Sequence, residues 1–578
     1  MKSLLKYLGK YKKESVLGPL FKLLEASFEL LIPIVVARIV DVGIKSRDMN
    51  YILRMGGLMV LLGLIGLACS VTAQYFAAKA AVGFATGLRH DLFKHIQKLS
   101  YTEMDKVGTS TLITRMTSDV NQVQSGVNLV LRLFLRSPFI VFGAMIMAFT
   151  INVKAALVFV VAIPALSVVV FGVMIASIPM YRKVQARLDK VMQSARENLT
   201  GVRVIRAFNK EEDEKRKFED ANQLLVKQQV FVGKISALMN PLTYIIINGA
   251  IIALIWTGAW QVEGGIITQG EVMALVNYMS QILVELVKLA NLIINITKSL
   301  ACAKRIAGVF EIESSIQEHE KAVSKGSHDT EAYIEFDHVS FAYSGSREDA
   351  LTDINLKVKK GQTIGIIGGT GSGKSTLVNL IPRFYDITSG SLKIDGTEVS
   401  DYQLEALRKK VGVVPQKAVL FKGTIEENLC WGKKDATEEE MITALQASQA
   451  LEFVREKKDG LQTVITQGGQ NLSGGQRQRL TIARALIRRP EILILDDSAS
   501  ALDYATDAKL RSAIAHLDEN MTVFIVSQRA ASIWHSDQIV VLDDGEVAGI
   551  GTHEQLLHSC SVYQEIYYSQ FPKEGGAQ

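Results

Sequence analysis

The chain has 578 residues, room for two to four domains of ordinary size, with 48% hydrophobic and 21% charged residues and a net charge of +5. So small a charge, with no face of interleaved basic and aromatic residues, argues against nucleic acid as a partner. Its four cysteines, Cys69, Cys302, Cys430 and Cys560, form no C-x-x-C pair and read as packed free thiols, so no metal site is expected from them.

The mean hydropathy of +0.19 averages two unlike halves. Residues 1–13 are short and basic, and no small-residue cleavage site follows a brief apolar core. The first apolar run is therefore expected to stay as an anchor. Runs of the length that crosses a bilayer, about 20 residues, lie near 16–40, 52–78, 128–150, 155–178, 238–261 and 272–299. They predict an all-α domain of six transmembrane helices embedded in a lipid bilayer.

The connections are unequal. Residues 43–51, 151–154 and 262–271 are short, whereas 79–127 and 179–237 are long, polar and helix-prone. The N-terminus and the long connections hold about two dozen Lys and Arg against three in the short ones, which marks the cytoplasmic side of a cell membrane. With no Gly/Pro cluster near the membrane edge, the helices should run on into the cytoplasm and turn near Thr102–Ser110 and Gly201–Lys210. Tips so placed are suited to touch a cytoplasmic domain and carry motion. Charges within the predicted spans include Glu25, Glu29, Arg132, Arg136, Glu285 and Lys288. Charges there either line a substrate path or pair inside the bundle, as Glu285 and Lys288 are spaced to do.

Residues 312–331 are polar, without apolar period, and read as a linker between a membrane domain (1–311) and an α/β domain (332–578). In the second domain a strand-like stretch, Thr363–Ile367, runs into Gly368-Gly369-Thr370-Gly371-Ser372-Gly373-Lys374-Ser375, followed by Thr376 and an apolar helix. This is a complete phosphate loop. Small residues let successive N–H groups wrap phosphates, and the helix presents its positive end to them. Lys374 is placed for the β and γ phosphates of ATP and Ser375 for Mg²⁺. A second buried strand, Ile492–Leu495, ends in Asp496, a further magnesium candidate at the edge where such sheets bind ligands.

The third motif is Leu472-Ser473-Gly474-Gly475-Gln476. Together with the other two it resembles the signature of the ABC (ATP-binding cassette) transporter family, and the resemblance extends over essentially the whole chain. Six spans ahead of one nucleotide domain are similar to an exporter-type half-transporter. The resemblance implies that Tyr343 stacks on adenine, that Gln416 belongs to the magnesium shell, and that Ser500–Asp503 forms the loop joining two nucleotide domains. Gly201–Phe208 resembles the second long cytoplasmic loop. It further implies a second chain. Ser473, Gly474, Gly475 and Gln476 would complete a site on the partner's phosphate loop, because they cannot reach the ATP on their own.

Two departures stand out. The family places Glu after the strand-ending Asp; here it is Asp497, about 1.5 Å shorter in reach. The family's switch His is replaced by Gln528, which can hydrogen-bond a γ-phosphate but cannot carry the imidazole's proton or charge. Thr466-Gln467-Gly468-Gly469 also stands where many exporters have Gly-Glu-x-Gly. An intact signature beside an altered catalytic pair resembles the degenerate subunit of a heterodimeric exporter of lipophilic or amphipathic small molecules. The alternatives are a homodimeric exporter with slow turnover, and an ATP-gated switch or channel regulator.

Overall fold

The computed structural model describes residues 4–317, 323, 332–498 and 500–571, so most of the segment read as a linker, 312–331, lies outside the described residues. The chain divides into two compact units. One comprises Met1–Gln97 with Ser110–Glu311; the other comprises Lys98–Thr109 with Ile312–Gln578.

The first unit is helical throughout: α1 (Lys12–Arg38), α2 (Met49–Ile96), α4 (Thr109–Thr114), α5 (Val120–Leu129), α6 (Arg136–Ile151), α7 (Val153–Thr200), α8 (Val202–Ala207), α9 (Glu211–Ala237), α10 (Met239–Glu263) and α11 (Gln269–Phe310). The three short connections each end on a capping side chain. Asp48 accepts from the Tyr51 amide, Asn152 accepts from the Ala155 amide, and Thr268 with Glu271 forms a capping box. Each cap satisfies amides that a helix start leaves open, which fixes where the next helix begins. Helices α2 and α7 run 48 residues each, about 72 Å at 1.5 Å per residue, so the expected extension beyond a bilayer is present.

Five helices among the described residues are long and apolar enough to cross a membrane, against six spans expected. The difference is α1, an unbroken 27-residue helix whose apolar stretch is interrupted by Lys22, Glu25 and Glu29. Lys22 is buried there and pairs with Glu25, and it donates to the Ser70 hydroxyl at 3.1 Å. The core is built on small residues, with Ala26, Ala144, Ala148, Ala155, Ala156 and Ala274 packed around Phe159 and Tyr278. Small side chains let helix backbones approach closely, which is how helices associate where water gives no drive.

Glu29, Arg136, Glu285 and Lys288 pair as well. Arg136 Nη1 donates to Glu285 Oε1 at 2.9 Å and Arg136 Nη2 to Glu29 Oε2 at 2.6 Å. Ser137 Oγ and Lys288 Nζ donate to the same Glu285, each at 2.8 Å. This node ties α1, α6 and α11, and it favours bundle-internal pairing over a lone charge lining a path.

The second unit contains α3 (Tyr101–Val107) and three sheets. An antiparallel sheet has the order β2 (Leu351–Val358), β1 (Ile334–Phe341), β4 (Ser389–Ile394), β5 (Thr397–Glu398). The main sheet has the order β12 (Glu546–Gly551), β11 (Gln538–Asp543), β3 (Thr363–Gly368), β10 (Thr522–Val526), β9 (Ile492–Asp496), β6 (Val411–Val414). All of it is parallel except the edge strand β12. Every residue of β9 and β10 is buried, as strands covered on both faces require. A two-stranded ladder pairs β7 (Gly423–Thr424) with β8 (Val464–Ile465).

Helices of this unit are α12 (Lys374–Leu380), α13 (Leu404–Lys410), α14 (Ile425–Cys430), α15 (Glu438–Ala447), α16 (Leu451–Glu456), α17 (Gly474–Leu486), α18 (Tyr504–Ala515), α19 (His553–Ser559) and α20 (Ser561–Gln570). Helix α3 is held within the unit: Tyr101 lies 4.8 Å from the Phe384 ring, and the Tyr385 hydroxyl donates to Asp105 at 2.7 Å. Of the two expected tips, the first thus belongs to the second unit, while α8 stays with the first.

Candidate functional site

Because β3, β10 and β9 are parallel neighbours in register, the loops leaving their C-terminal ends share one edge. Val526 stands opposite both Ile366 and Asp496, so the phosphate loop, Asp496–Asp497 and Ser527–Gln528 converge. They line a cavity of about 340 Å³ together with Tyr343, Ala350, Thr370, Gly371, Gly373, Lys374, Ser375, Thr376 and Gln416. That volume suits a small-molecule ligand.

The loop's glycines divide by task. A Cβ at Gly368 would lie 2.1 Å from the Leu542 carbonyl oxygen, and one at Gly373 would lie 2.7 Å from Leu351 Cδ2. Gly373 also sits at φ +91° as the N-cap of α12, a conformation that side chains resist. Gly369 and Gly371, by contrast, have nothing within 4 Å of a built Cβ, which leaves open space above the loop backbone. Gly371 also sits at φ +87°, so glycine there serves the turn as well as the open space.

The charged groups are buried and incompletely matched. Lys374 is buried, and its amine donates to the carbonyls of Gly368 (3.0 Å) and Gly369. Burial pushes this amine below its ordinary range, with only the carboxylates Asp497 and Asp496 opposing the shift. Burial also pushes the Asp496 carboxyl up, and the Asp497 charge adds to the rise against the hydrogen bond from Ser375. Ser375 Oγ donates to Asp496 Oδ1 at 2.8 Å, so hydroxyl and carboxylate already sit side by side. The described residues contain no group of three His, Cys, Asp or Glu able to hold an ion alone. One carboxylate, one hydroxyl and an amide oxygen fit Mg²⁺, which keeps several waters and takes its other oxygens from phosphates.

At the far edge, Asp497 has φ +44°, in the left-handed region that Asp tolerates better than most residues. Its amide donates to the Val526 carbonyl at 3.0 Å, and its Oδ2 accepts from Gln416 Nε2 at 3.3 Å. Tyr343 is half-exposed, with its ring edge-on to Phe341 (4.9 Å) and Tyr385 (5.4 Å) and its hydroxyl 2.9 Å from Thr376 Oγ1.

Two predicted groups lie away from this cavity. Ser473 is the N-cap of α17 and forms a reciprocal capping box with Gln476, leaving Gly474 exposed with open space around it. Asp503 caps α18 by accepting from the Thr506 amide and hydroxyl, each at 2.8 Å. Sequence reasoning missed Ala350 and Ser527 in the cavity wall. Ser527 was findable as the residue after a buried strand, one step before the switch position. Ala350 carries no chemistry that marks it.

Two family models match the chain: the ABC transporter transmembrane region over residues 15–286, and the ABC transporter model over residues 351–500. An uncharacterized ABC transporter ATP-binding protein of Bacillus subtilis is 37% identical over 575 residues, covering 100% of this chain and 99% of that one. An ATP-dependent lipid A-core flippase of Desulfotalea psychrophila is 35% identical over 484 residues, covering 83% and 84%. A solved structure of a bacterial Atm1-family ABC exporter with ATP bound shares the fold at a TM-score of 0.80, with 22% identity, over 97% of this chain and 99% of that one.

Proposed function

The chain belongs to the ABC transporter family, and on that premise we propose that it is one half of an exporter that moves a lipophilic or amphipathic molecule out across the cytoplasmic membrane. As a family member it is a multi-pass, ATP-hydrolysing transporter with its membrane region and nucleotide domain in one chain. The substrate class rests on the apolar spans and on the lipid A-core flippases among its relatives. In this reading the domains are 1–311 and 332–578 joined by 312–331, with the N-terminus and nucleotide domain cytoplasmic.

The loop amides from Gly368 to Thr376 and Lys374 bind the phosphates, Tyr343 stacks on adenine, and Ser375, Gln416 and Asp496 hold the ion. The ion would neutralise phosphate charge and orient the terminal phosphate. Asp497 orients the attacking water and Gln528 contacts the γ-phosphate.

The partner is a different half-transporter chain. The observation that carries this is the pairing of a complete phosphate loop with Asp497 and Gln528 in one cavity, while the signature lies elsewhere on the same domain with Ser473 and Gly474 exposed. This chain then retains ATP at its own site and lends its signature, with Asp503 nearby, to a competent site on the partner. ATP held between the two domains draws them together, and α3, seated in the nucleotide-domain unit, passes that closure to the spans.

The test is turnover. The purified chain alone should bind ATP and hydrolyse it slowly, and the two-chain complex should hydrolyse quickly and respond to lipophilic substrate. A rate for the chain alone equal to that of the complex would remove the two-chain reading. An unresponsive complex would favour an ATP-gated switch instead, to which Asp497 and Gln528 are equally suited.

A further inference from the structure

The switch residue has a support that no motif marks. Gln570 is the last residue of α20, and its side-chain amide bridges the backbone on both sides of Arg529. Its Nε2 donates to the Gln528 carbonyl at 2.7 Å, and its Oε1 accepts from the Ala530 amide at 2.9 Å. A carbonyl can only accept and an amide N–H can only donate, so these partners fix the orientation of the Gln570 head group.

The helix that carries it is firmly seated. Tyr563 is fully buried and its hydroxyl lies 2.7 Å from His553 Nδ1. Phe571 stacks on Trp534 at 5.6 Å, four residues past Ala530. Arg529 faces the other way: its guanidinium donates to the carbonyls of Leu502 (3.3 Å) and Ser500 (3.4 Å) and lies over the Tyr504 ring at 5.0 Å. Three consecutive residues are therefore held at three points, and Gln528 is the one whose side chain lines the cavity.

We propose that Gln570 is a positioning residue: by clamping residues 528–530 from behind, it sets the reach of Gln528 toward a terminal phosphate. The proposal rests on reading the cavity as a triphosphate site with Gln528 at its γ end. The Gln528 amide is carried on two methylenes from the backbone that Gln570 holds, so losing two hydrogen bonds behind Gln528 should cost contact with the last phosphate and leave the rest of the nucleotide untouched.

The test uses the full-length chain in lipid nanodiscs, with binding of the non-hydrolysable ATP analogue AMP-PNP and of ADP measured at equilibrium. Gln570→Ala should weaken AMP-PNP by about 3–10-fold, one or two hydrogen bonds' worth, with ADP affinity unchanged. Gln570→Glu keeps the shape but loses the donor, and should give the same selective loss. In a Gln528→Ala background Gln570→Ala should have no further effect, because its action runs through Gln528. An equal loss for both nucleotides, a loss that persists without the Gln528 side chain, or no change in either would overturn the proposal while leaving the nucleotide site intact. If the unaltered chain binds neither nucleotide, or Gln528→Ala leaves their ratio unchanged, the reading of the cavity itself falls and the clamp falls with it.

Discussion

Each of the two units buries charge, and they settle it differently. In the first, Arg136 faces two carboxylates and Glu285 faces two cations and a hydroxyl, so the charges neutralise one another inside the chain. In the second, Lys374 leans on backbone carbonyls and Asp496 on one hydroxyl, and burial drives each toward its neutral form. A buried charge matched from within is architecture. A buried charge left short of partners is a place where something from outside completes the match.

The largest effect that tests this contrast is at Glu285. Glu285→Ala leaves Arg136 with only the more exposed Glu29, and should cost about 3–5 kcal/mol, read as loss of folded protein in detergent denaturation. The double replacement Arg136→Met with Glu285→Leu should recover most of that loss. Normal stability with transport abolished would move the node from architecture to substrate path and break the comparison.

Next comes the altered catalytic edge. Asp497→Glu should raise the slow ATP turnover of the purified chain alone by up to about a hundredfold if reach alone limits it, since a misplacement of about 1 Å costs that much. A smaller gain that grows on adding Gln528→His would assign part of the deficit to the switch.

Tyr343→Ala should weaken ATP by about tenfold, the loss of one aromatic stack, while tripolyphosphate binding stays the same. That outcome sharpens the contrast by placing most of the affinity at the phosphate end.

The smallest effect is one of stability. Asp496 has its folded-state pKa raised above the ordinary 3.8, so folding favours its protonated form. The nucleotide-free protein should lose stability as pH rises from that ordinary value through the raised one. Asp496→Asn removes the loss and should melt about 2–4 °C higher at neutral pH, with the gain vanishing in acid. A variant that melts lower at neutral pH would mean Asp496 is already compensated.

What was readable beforehand follows how local each signal is. The phosphate loop and Asp496 sit on short contiguous runs, and the parallel order of β3, β10 and β9 brings those runs to one edge without further instruction. Glu285 with Lys288 was readable because three residues make neighbours on a helix. The other partners of Arg136 and Glu285 lie 107 and 149 residues apart, and spacing says nothing over such distances. The clamp from Gln570 spans 42 residues and uses a side chain with no motif. Hydropathy marks α1 only weakly, because Lys22 there is buried by pairing rather than by being apolar.

Helix α2 is 48 residues long and has no proline among them, whereas α7, of equal length, carries Pro164 and Pro179. A rod of about 72 Å that tilts by about 5° at one end sweeps the other through about 6 Å. Such a lever arm turns an angular change too small to break any packing contact into a stroke longer than a helical turn. On this account α2 would supply mechanical gain, while Pro164 and Pro179 of α7, each lacking an amide N–H to bond the preceding turn, mark two positions at which the same stroke could be absorbed.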